Sequence, residues 1–343
     1  MSHQLKKKAY YSVDPGLGAY LLEYKRGGNE IPEIYDDLRR FSQSFPHFDH
    51  LGNDTLWKTV MYDPGDAERL HRQLVEIYAR LKTGDTRVAE HLYVERIDFC
   101  EFGNSQPFRV RIVNQFNDNY DHIYVKIADA NRIYGLELEH ILSPNRINYY
   151  VNGETLIEEH IAGLPGDVFI ADWLQREDTN RVRLAKEFVK FSERSFIRLL
   201  GDMRSYNYVV DITPDFEEVQ YRVRAIDFDQ QCYEGSRKHY LPGHFEDNQV
   251  VVALCREFIN AGAMTQYQNE ERSLIDRRVT AAKRRLLGLM DCMRENPCTT
   301  EEKTRQLIGD LNELHHTVAF DNCRTIADVL ETNIRVSLEK GRG

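Results

Sequence analysis

Asp202, Asn207, Asp227 and Lys126 are the residues whose types and spacing best fit a single chemistry. Asp202 and Asn207 lie five positions apart in the segment GDMRSYN, which follows a long helical pattern and leads into a strand pattern. The next strand pattern ends at Asp227, and Lys126 lies in an earlier one, YVKIA. Phosphoryl transfer needs a cation for the phosphates, metal-binding oxygens and a group near the acceptor hydroxyl. The chain offers candidates for all three.

The order of these motifs resembles the protein-kinase-like superfamily over roughly residues 94–260. The pattern is more similar to the aminoglycoside and choline phosphotransferases and other atypical kinases than to eukaryotic protein kinases. The resemblance implies ATP and Mg²⁺ as cofactors, with Asp202 receiving the acceptor proton and Asn207 and Asp227 holding metal. Asp229 replaces the glycine of the usual Asp-Phe-Gly triplet, so it either adds a metal ligand or is simply solvated.

The upstream half of the resemblance supplies the residues that would bind the nucleotide. It implies that Lys126 contacts the ATP phosphates and that Glu137 or Glu139, in the helical pattern that follows, orients this lysine. The segment LIEEHIAG is similar to the hinge between the two lobes, where backbone groups of Glu159, His160 and Ile161 would pair with adenine.

Two departures from the family pattern bear on function. The turn that would cover the phosphates has one glycine, Gly103, so it would rely on Asn104, Ser105 and nearby amides. The histidine and arginine that typically precede the catalytic aspartate are replaced by Leu200 and Gly201. Without that arginine, this segment offers no evident residue to bind a phosphate group on an activation loop.

The pattern of elements predicts an α+β, two-lobed fold of the protein-kinase type, with helical additions at both termini. We expect an accessory segment at 1–90, an antiparallel-sheet lobe carrying one helix at 91–163, and a helical lobe at 164–343 whose extension starts near residue 268. In the accessory segment, strands are predicted at 19–24 and 56–62, and helices at 31–45 and 64–81. An apolar stripe predicts a helix at 272–295, and Thr299 with Glu302 predicts a capping box.

Composition limits the partners. The net charge of −10 argues against a protein that coats nucleic acid or anionic membrane. The basic cluster Arg277, Arg278, Lys283, Arg284 and Arg285 is interpreted as the solvated face of a helix. No apolar run reaches membrane-spanning length, and the six scattered cysteines fit reduced thiols in a cytoplasm. The acceptor is an unidentified small molecule or protein, and the sequence does not set the oligomeric state.

Two other functions stay open at this point. The sparse glycine turn and Asp229 also fit a nucleotide-binding pseudokinase or a nucleotidyl transferase. The helical additions at both ends also fit a non-catalytic interaction scaffold. An acidic hairpin turn (Asp211, Asp215, Glu217 and Glu218) would attract a cationic substrate if it overhung the site.

Overall fold

Strands with alternating apolar residues build a seven-stranded sheet. The computed structural model describes residues 8–28, 31–49, 52–84, 90–215 and 219–341. The sheet order is β1-β2-β3-β4-β5-β7-β6, and every neighbouring pair is antiparallel. The strands are β1 (Gln43–Phe48), β2 (Asp54–Met61), β3 (Leu92–Phe99), β4 (Phe108–Asn114), β5 (Tyr120–Ile127), β6 (Tyr149–Asn152) and β7 (Thr155–Glu159).

One face of this sheet is packed and the other is polar. In β4, Phe108, Val110 and Ile112 belong to the core, whereas Arg109 and Arg111 point to the opposite face. The core face is covered by α2 (Tyr35–Leu38) and α3 (Pro64–Thr83), and α1 (Pro15–Glu23) precedes them. The arrangement leaves a row of arginine, aromatic and histidine side chains on the polar face.

The N-terminal region differs from its prediction in two places. Residues 19–24, predicted as a strand, lie in and just after α1, where Asp14 caps the first turn and Pro15 occupies the first helical position. Residues 31–45, predicted as a helix, contain only the single turn of α2 before β1 begins. In this region the pairing of β1 with β2 outweighs the helical periodicity of the sequence. The predicted strand at 56–62 and helix at 64–81 correspond to β2 and α3.

The remaining elements are mainly helical. A small sheet, ordered β10-β9-β8, lies among them. The elements are α4 (Ala130–Leu142), β8 (Leu164–Pro165), α5 (Gly166–Val168), α6 (Arg181–Ile197), β9 (Tyr208–Pro214), β10 (Val219–Ala225), α7 (Gln249–Phe258), α8 (Ala261–Ala281), α9 (Lys283–Glu295), α10 (Glu301–His315) and α11 (Ile326–Glu339). The protein is thus α+β, with a mostly antiparallel sheet and a helical region.

These elements form two compact units. The sheet unit comprises the described residues of 1–130 together with Ile147–His160, and the helical unit comprises Asn131–Arg146 together with the described residues from Ile161 onward. The described residues up to Glu90, which we predicted as an accessory segment, lie in the sheet unit. The helix that we expected the sheet to carry, α4, groups with the helical unit instead. The buried charged side chains of α4 form ion pairs with residues of the helical unit.

The C-terminal helices also refine the prediction. The expected helix at 272–295 is two helices, α8 and α9, which meet at Ala282. Their apolar stripe is packed, since Ile275, Leu286 and Met293 are buried. Thr300, rather than Thr299, caps α10, because the Thr299 hydroxyl donates to the carbonyl of Tyr233 at 2.6 Å. A capping box does occur, at the start of α11, between Thr325 and Asp328.

Candidate functional site

The loop between α6 and β9 holds Asp202 in an unusual backbone conformation. Its φ of 58° lies in the left-handed region, which only a few non-glycine residues adopt. The Asp202 N–H donates to the carbonyl of His239 at 2.9 Å, and its carboxylate accepts from Arg204 Nε at 3.0 Å. Burial raises the pKa of Asp202, as does Asp247, although Arg204 opposes the shift. The carboxylate is therefore oriented, partly buried and easier to protonate than an ordinary aspartate.

Asn207 ties this loop to the end of β10. Its side-chain Nδ2 donates to the Asp202 carbonyl at 2.8 Å. Its own carbonyl accepts the N–H groups of Ile226 at 3.0 Å and Asp227 at 3.4 Å. Three of the four residues singled out from the sequence are therefore held in one network within the helical unit. A network of this kind fixes distances without relying on long side chains.

A buried arginine, Arg132 of α4, lies against the acidic strand end. Its Nη1 donates to Asp227 Oδ1 at 2.7 Å and to Asp229 Oδ1 at 2.9 Å, and its Nη2 donates to the carbonyl of Ile226 at 3.2 Å. The side chain of Asp227 is 34% exposed, whereas that of Asp229 is 8% exposed. The two aspartates thus differ: Asp227 reaches solvent, and Asp229 mainly holds the arginine.

Sequence reasoning missed Arg132. The available signal was a single arginine in the first turn of a helix rich in apolar residues, because such an arginine must find carboxylate or carbonyl partners when it is buried. Its partners are 95 and 97 residues away in sequence. No local pattern connects them.

Lys126 lies in the sheet unit, on β5. Its ammonium donates to Glu158 of the neighbouring β7 at 2.8 Å, and both side chains are more than nine-tenths buried. The ring of Tyr124 lies 5.3 Å from the same ammonium. A buried lysine held by a carboxylate and an aromatic ring is a positioned cation rather than a solvated surface residue.

The two glutamates of α4 pair with arginines of the helical unit. Glu137 accepts from Arg285 at 2.9 and 2.8 Å in a bidentate ion pair. Glu139 pairs with Arg198, and both side chains are 1% exposed. Burial lowers the pKa of Arg198, while Glu271 raises it. The expected partnership of Lys126 with Glu137 or Glu139 stays a prediction.

Two segments of the sheet unit were predicted to surround a nucleotide. The turn at Gly103, Asn104 and Ser105 is tied to the strand that carries Lys126, because the Ser105 carbonyl accepts the N–H of Ile127 at 3.3 Å. In the predicted hinge, the N–H of Glu159 donates to Asn148 at 3.0 Å and that of His160 donates to His122 at 3.2 Å. These two N–H groups are used inside the sheet unit, and the predicted pairing of the hinge backbone with adenine stays a prediction.

An aromatic cluster next to Lys126 was also missed. The Arg109 guanidinium lies 4.6 Å from the Trp57 ring, and the Tyr124 ring lies 6.4 Å from Trp57 and 6.0 Å from His160. Burial lowers the pKa of His160. Trp57, Arg109 and Tyr124 lie on three separate strands and His160 directly follows a fourth, so their shared face can be predicted from strand periodicity only once the register of the sheet is known.

Other expectations are located as follows. In the basic cluster, Arg285 binds Glu137, so this arginine is part of the packing of α4 rather than a solvated face residue. In the acidic hairpin turn, Glu217 and Glu218 lie outside the described residues.

No group of three or more His, Cys, Asp or Glu side chains within the described ranges is arranged to hold a metal ion. None of the described helices is both long and apolar enough to cross a bilayer.

Comparison with known proteins adds no assignment. No protein-family model matches the sequence, and no curated protein matches it at a significant level. The functional argument therefore depends on the geometry of the residues themselves.

Proposed function

We propose that the protein is an ATP- and Mg²⁺-dependent phosphotransferase that moves the γ-phosphate to a hydroxyl group of a small molecule or protein. The observation that supports this most is the network joining Asp202, Asn207 and Asp227. Phosphoryl transfer depends on positioning and charge neutralisation, and this network fixes a carboxylate, an amide and a second carboxylate together. The two-lobed kinase-like topology belongs to the same proposal.

In this proposal Asp202 receives the proton of the acceptor hydroxyl. Its raised pKa brings the carboxylate closer to the pH at which a general base is effective. Its neighbour Arg204, at 3.0 Å, orients the carboxylate and limits the shift. Lys126 is the residue that we propose for phosphate contact, and Glu158 holds its ammonium within the sheet unit.

The residues at the end of β10 fit a magnesium ion in part. Mg²⁺ prefers oxygen ligands and uses few protein carboxylates. The carboxylate of Asp227, which reaches solvent, and the amide oxygen of Asn207 would hold it. Asp229 fits less well, because Arg132 already binds its buried carboxylate at 2.9 Å. When bound, the ion would neutralise charge on the phosphates.

A second candidate is a protein that binds nucleotide without transferring phosphate. Arg132 favours it, because the guanidinium already neutralises the two carboxylates that would otherwise attract a metal.

One experiment separates these candidates. ATP is titrated calorimetrically into the full chain with and without Mg²⁺, and ATP consumption is followed in parallel with candidate hydroxyl acceptors and with water alone. Metal-dependent binding with γ-phosphate release or transfer supports the phosphotransferase. Binding without consumption supports the second candidate. A chain that binds no ATP under either condition contradicts both and favours an interaction scaffold.

A further inference from the structure

The helical unit contains a cavity of about 680 Å³ that is open to solvent. Helices α6, α7, α8, α10 and α11 and the segment 241–244 contribute its lining. Ligand-binding cavities in proteins commonly measure about 300–1,000 Å³, so this one has room for a small organic molecule. It uses none of the residues assigned to phosphoryl transfer.

Most of the cavity wall is apolar. Phe188, Val189 and Phe196 come from α6, and Val252 and Cys255 come from α7. Four of these five side chains are buried in the fold, and Val252 is half-buried. An apolar wall of this kind makes few favourable interactions with water, whereas contact with a hydrocarbon chain removes apolar surface from water and is favourable.

One part of the lining carries an excess of positive charge. Arg272 donates to Glu193 at 2.6 Å, and Lys340, at the end of α11, also lines the cavity. Burial lowers the pKa of Lys340, as does Arg272, while Glu193 opposes the shift. Burial in turn raises the pKa of Glu193. One carboxylate thus faces two cations, and within the described residues no carboxylate lies in ion-pair distance of Lys340.

Two polar atoms beside the cavity lack hydrogen-bond partners. The Ser337 hydroxyl is buried, with 2% of the residue exposed, and it bonds to no described residue. His315 Nδ1 is likewise buried and unpartnered, whereas His315 Nε2 lies 3.1 Å from Asn333 Oδ1. Asn333 Nδ2 donates to the carbonyls of Phe196 and Ile197, which identifies Oδ1 as the acceptor for histidine. A buried hydroxyl without a partner is costly unless something else bonds to it.

We infer that this cavity binds a small anionic amphiphile, a carboxylate with an unbranched apolar body. The apolar wall takes the hydrocarbon, Lys340 and Arg272 face the carboxylate, and the Ser337 hydroxyl is a donor for a carboxylate oxygen or a bridging water. A neutral hydrocarbon would leave the excess positive charge unbalanced. A cationic amphiphile would meet Lys340 and Arg272 directly and be repelled.

The test is a calorimetric titration of the full chain with decanoate, dodecanoate and tetradecanoate below their micelle concentrations. We expect one molecule to bind per chain. Each methylene buried contributes roughly a fourfold gain in affinity, so the dissociation constant should fall about fifteenfold from decanoate to dodecanoate. Dodecanol, which has the same body and no charge, should bind at least about tenfold more weakly than dodecanoate.

Three variants locate the site. Lys340→Gln removes an exposed ammonium without disturbing the core, and it should weaken dodecanoate about tenfold while leaving dodecanol unchanged. Val252→Phe fills the cavity and should weaken both. Lys283→Gln, on the exposed side of α9, is the matched control and should change neither. Circular dichroism verifies that each variant is folded.

Three results would overturn the inference: no saturable binding of any of the acids, equal affinity for dodecanol and dodecanoate, or full dodecanoate affinity in Lys340→Gln. None of them bears on Asp202 or Asp227, so the proposed phosphotransfer is tested separately.

Discussion

Arg132 sets the electrostatic state of the acidic residues at the end of β10. Its side chain is 2% exposed, and the guanidinium contacts two carboxylates and one carbonyl. Removing either partner from a buried ion pair leaves an uncompensated charge, which is far more costly than the pair itself is stabilising. Neutralising Asp227 should therefore have a different effect from neutralising Asp229, although the two residues lie only two positions apart.

Asp227→Asn and Asp229→Asn should differ in activity and in stability. If Asp227 holds Mg²⁺, the neutral amide that Asp227→Asn introduces cannot balance the ion's charge. Mg²⁺-dependent ATP consumption should then fall by roughly a hundredfold or more. Asp229→Asn should reduce activity less but lower the free energy of unfolding by about 1–3 kcal/mol, because Arg132 loses a buried charged partner. Both variants are assayed for ATP consumption and for urea unfolding. Equal activity of the wild type and Asp227→Asn contradicts the assignment, and the reverse ranking makes Asp229 the ligand.

How well a contact between two residues can be predicted from the sequence depends on how far apart the two residues lie along the chain. Asp202 and Asn207 are five residues apart, so their adjacency follows from one turn. Arg132 meets Asp227 across 95 residues, and Arg285 meets Glu137 across 148. Such partners depend on the packing of whole helices, which local propensity does not specify. The role of a carboxylate is therefore easier to predict than the cation that neutralises it.

At the scale of elements, α4 is fitted closely to the segment after β10. A Cβ atom added at Gly135 would lie 2.8 Å from Phe228 Cβ and 3.2 Å from its carbonyl oxygen. Both are closer than van der Waals contact allows, and neither atom belongs to a flexible side-chain end. Glycine is retained here for close approach, at some cost to helix propensity.

Gly135→Ala should therefore destabilise the protein by about 1–3 kcal/mol, although alanine is the better helix former. Gly309→Ala is the matched control, because a Cβ at Gly309 in α10 meets nothing within 4 Å. That change should be neutral or stabilise by up to about 1 kcal/mol. Urea unfolding of the two variants and the wild type gives the comparison. Equal effects at both sites would mean that α4 can move away from Phe228.

The start of α11 depends on a carboxylate. Partial burial alone would raise the pKa of Asp328, but hydrogen bonds from Arg294 and from the N–H groups of Thr325 and Arg324 lower it to about 2. A depressed pKa contributes stability that is fully present above pH about 4 and is lost as the pH falls toward 2.

Asp328→Asn should accordingly lower the free energy of unfolding by about 1 kcal/mol at pH 7. This is less than the full pKa shift would give, because solvent screens a side chain that is 28% exposed. The difference from wild type should shrink below pH 4 and vanish near pH 2. Asp291→Asn is the control: Asp291 also binds Arg294, but its side chain is 71% exposed. It should be nearly neutral at every pH in thermal unfolding. Parallel behaviour of the two variants would exclude a capping role for Asp328.

Element types were predicted best where one segment decides its own structure. The helix at Pro64–Thr83 has Asp63 and Pro64 at its start and Gly84 at its end, and the hairpin turn between β6 and β7 contains Gly153. The region 31–45 failed because β1 exists only through its pairing with β2. The break at Ala282 between α8 and α9 also escaped prediction, since the apolar stripe continues across it.

At the scale of the whole molecule, neither unit is one continuous stretch of chain. The residues that complete the sheet unit, Ile147–His160, follow a helix that packs in the other unit. Three buried charges of α4 (Arg132, Glu137 and Glu139) have partners later than residue 190 in the sequence. Cutting the chain between the units therefore separates charges from their partners.

A fragment covering residues 1–163 should keep the sheet but lose α4. Without Asp227, Arg198 and Arg285, the three charges of α4 have no counterparts, and burying them would cost several kcal/mol. Hydrogen exchange of the fragment should show protected amides in β3–β5 and unprotected amides at 130–142. The full chain is the control. Protection of α4 in the fragment would contradict the dependence on the helical unit.

This interleaving also has a consequence in time. A chain made from its N-terminus completes the sheet unit at residue 160, whereas Glu137 meets Arg285 only 148 residues after its own synthesis. At about 5–20 residues per second, that delay is roughly 7–30 s. During the delay, the apolar and charged face of α4 is without its final partners while the strands on either side of it can already pair. Nascent chains halted in that interval should be the form most dependent on chaperones.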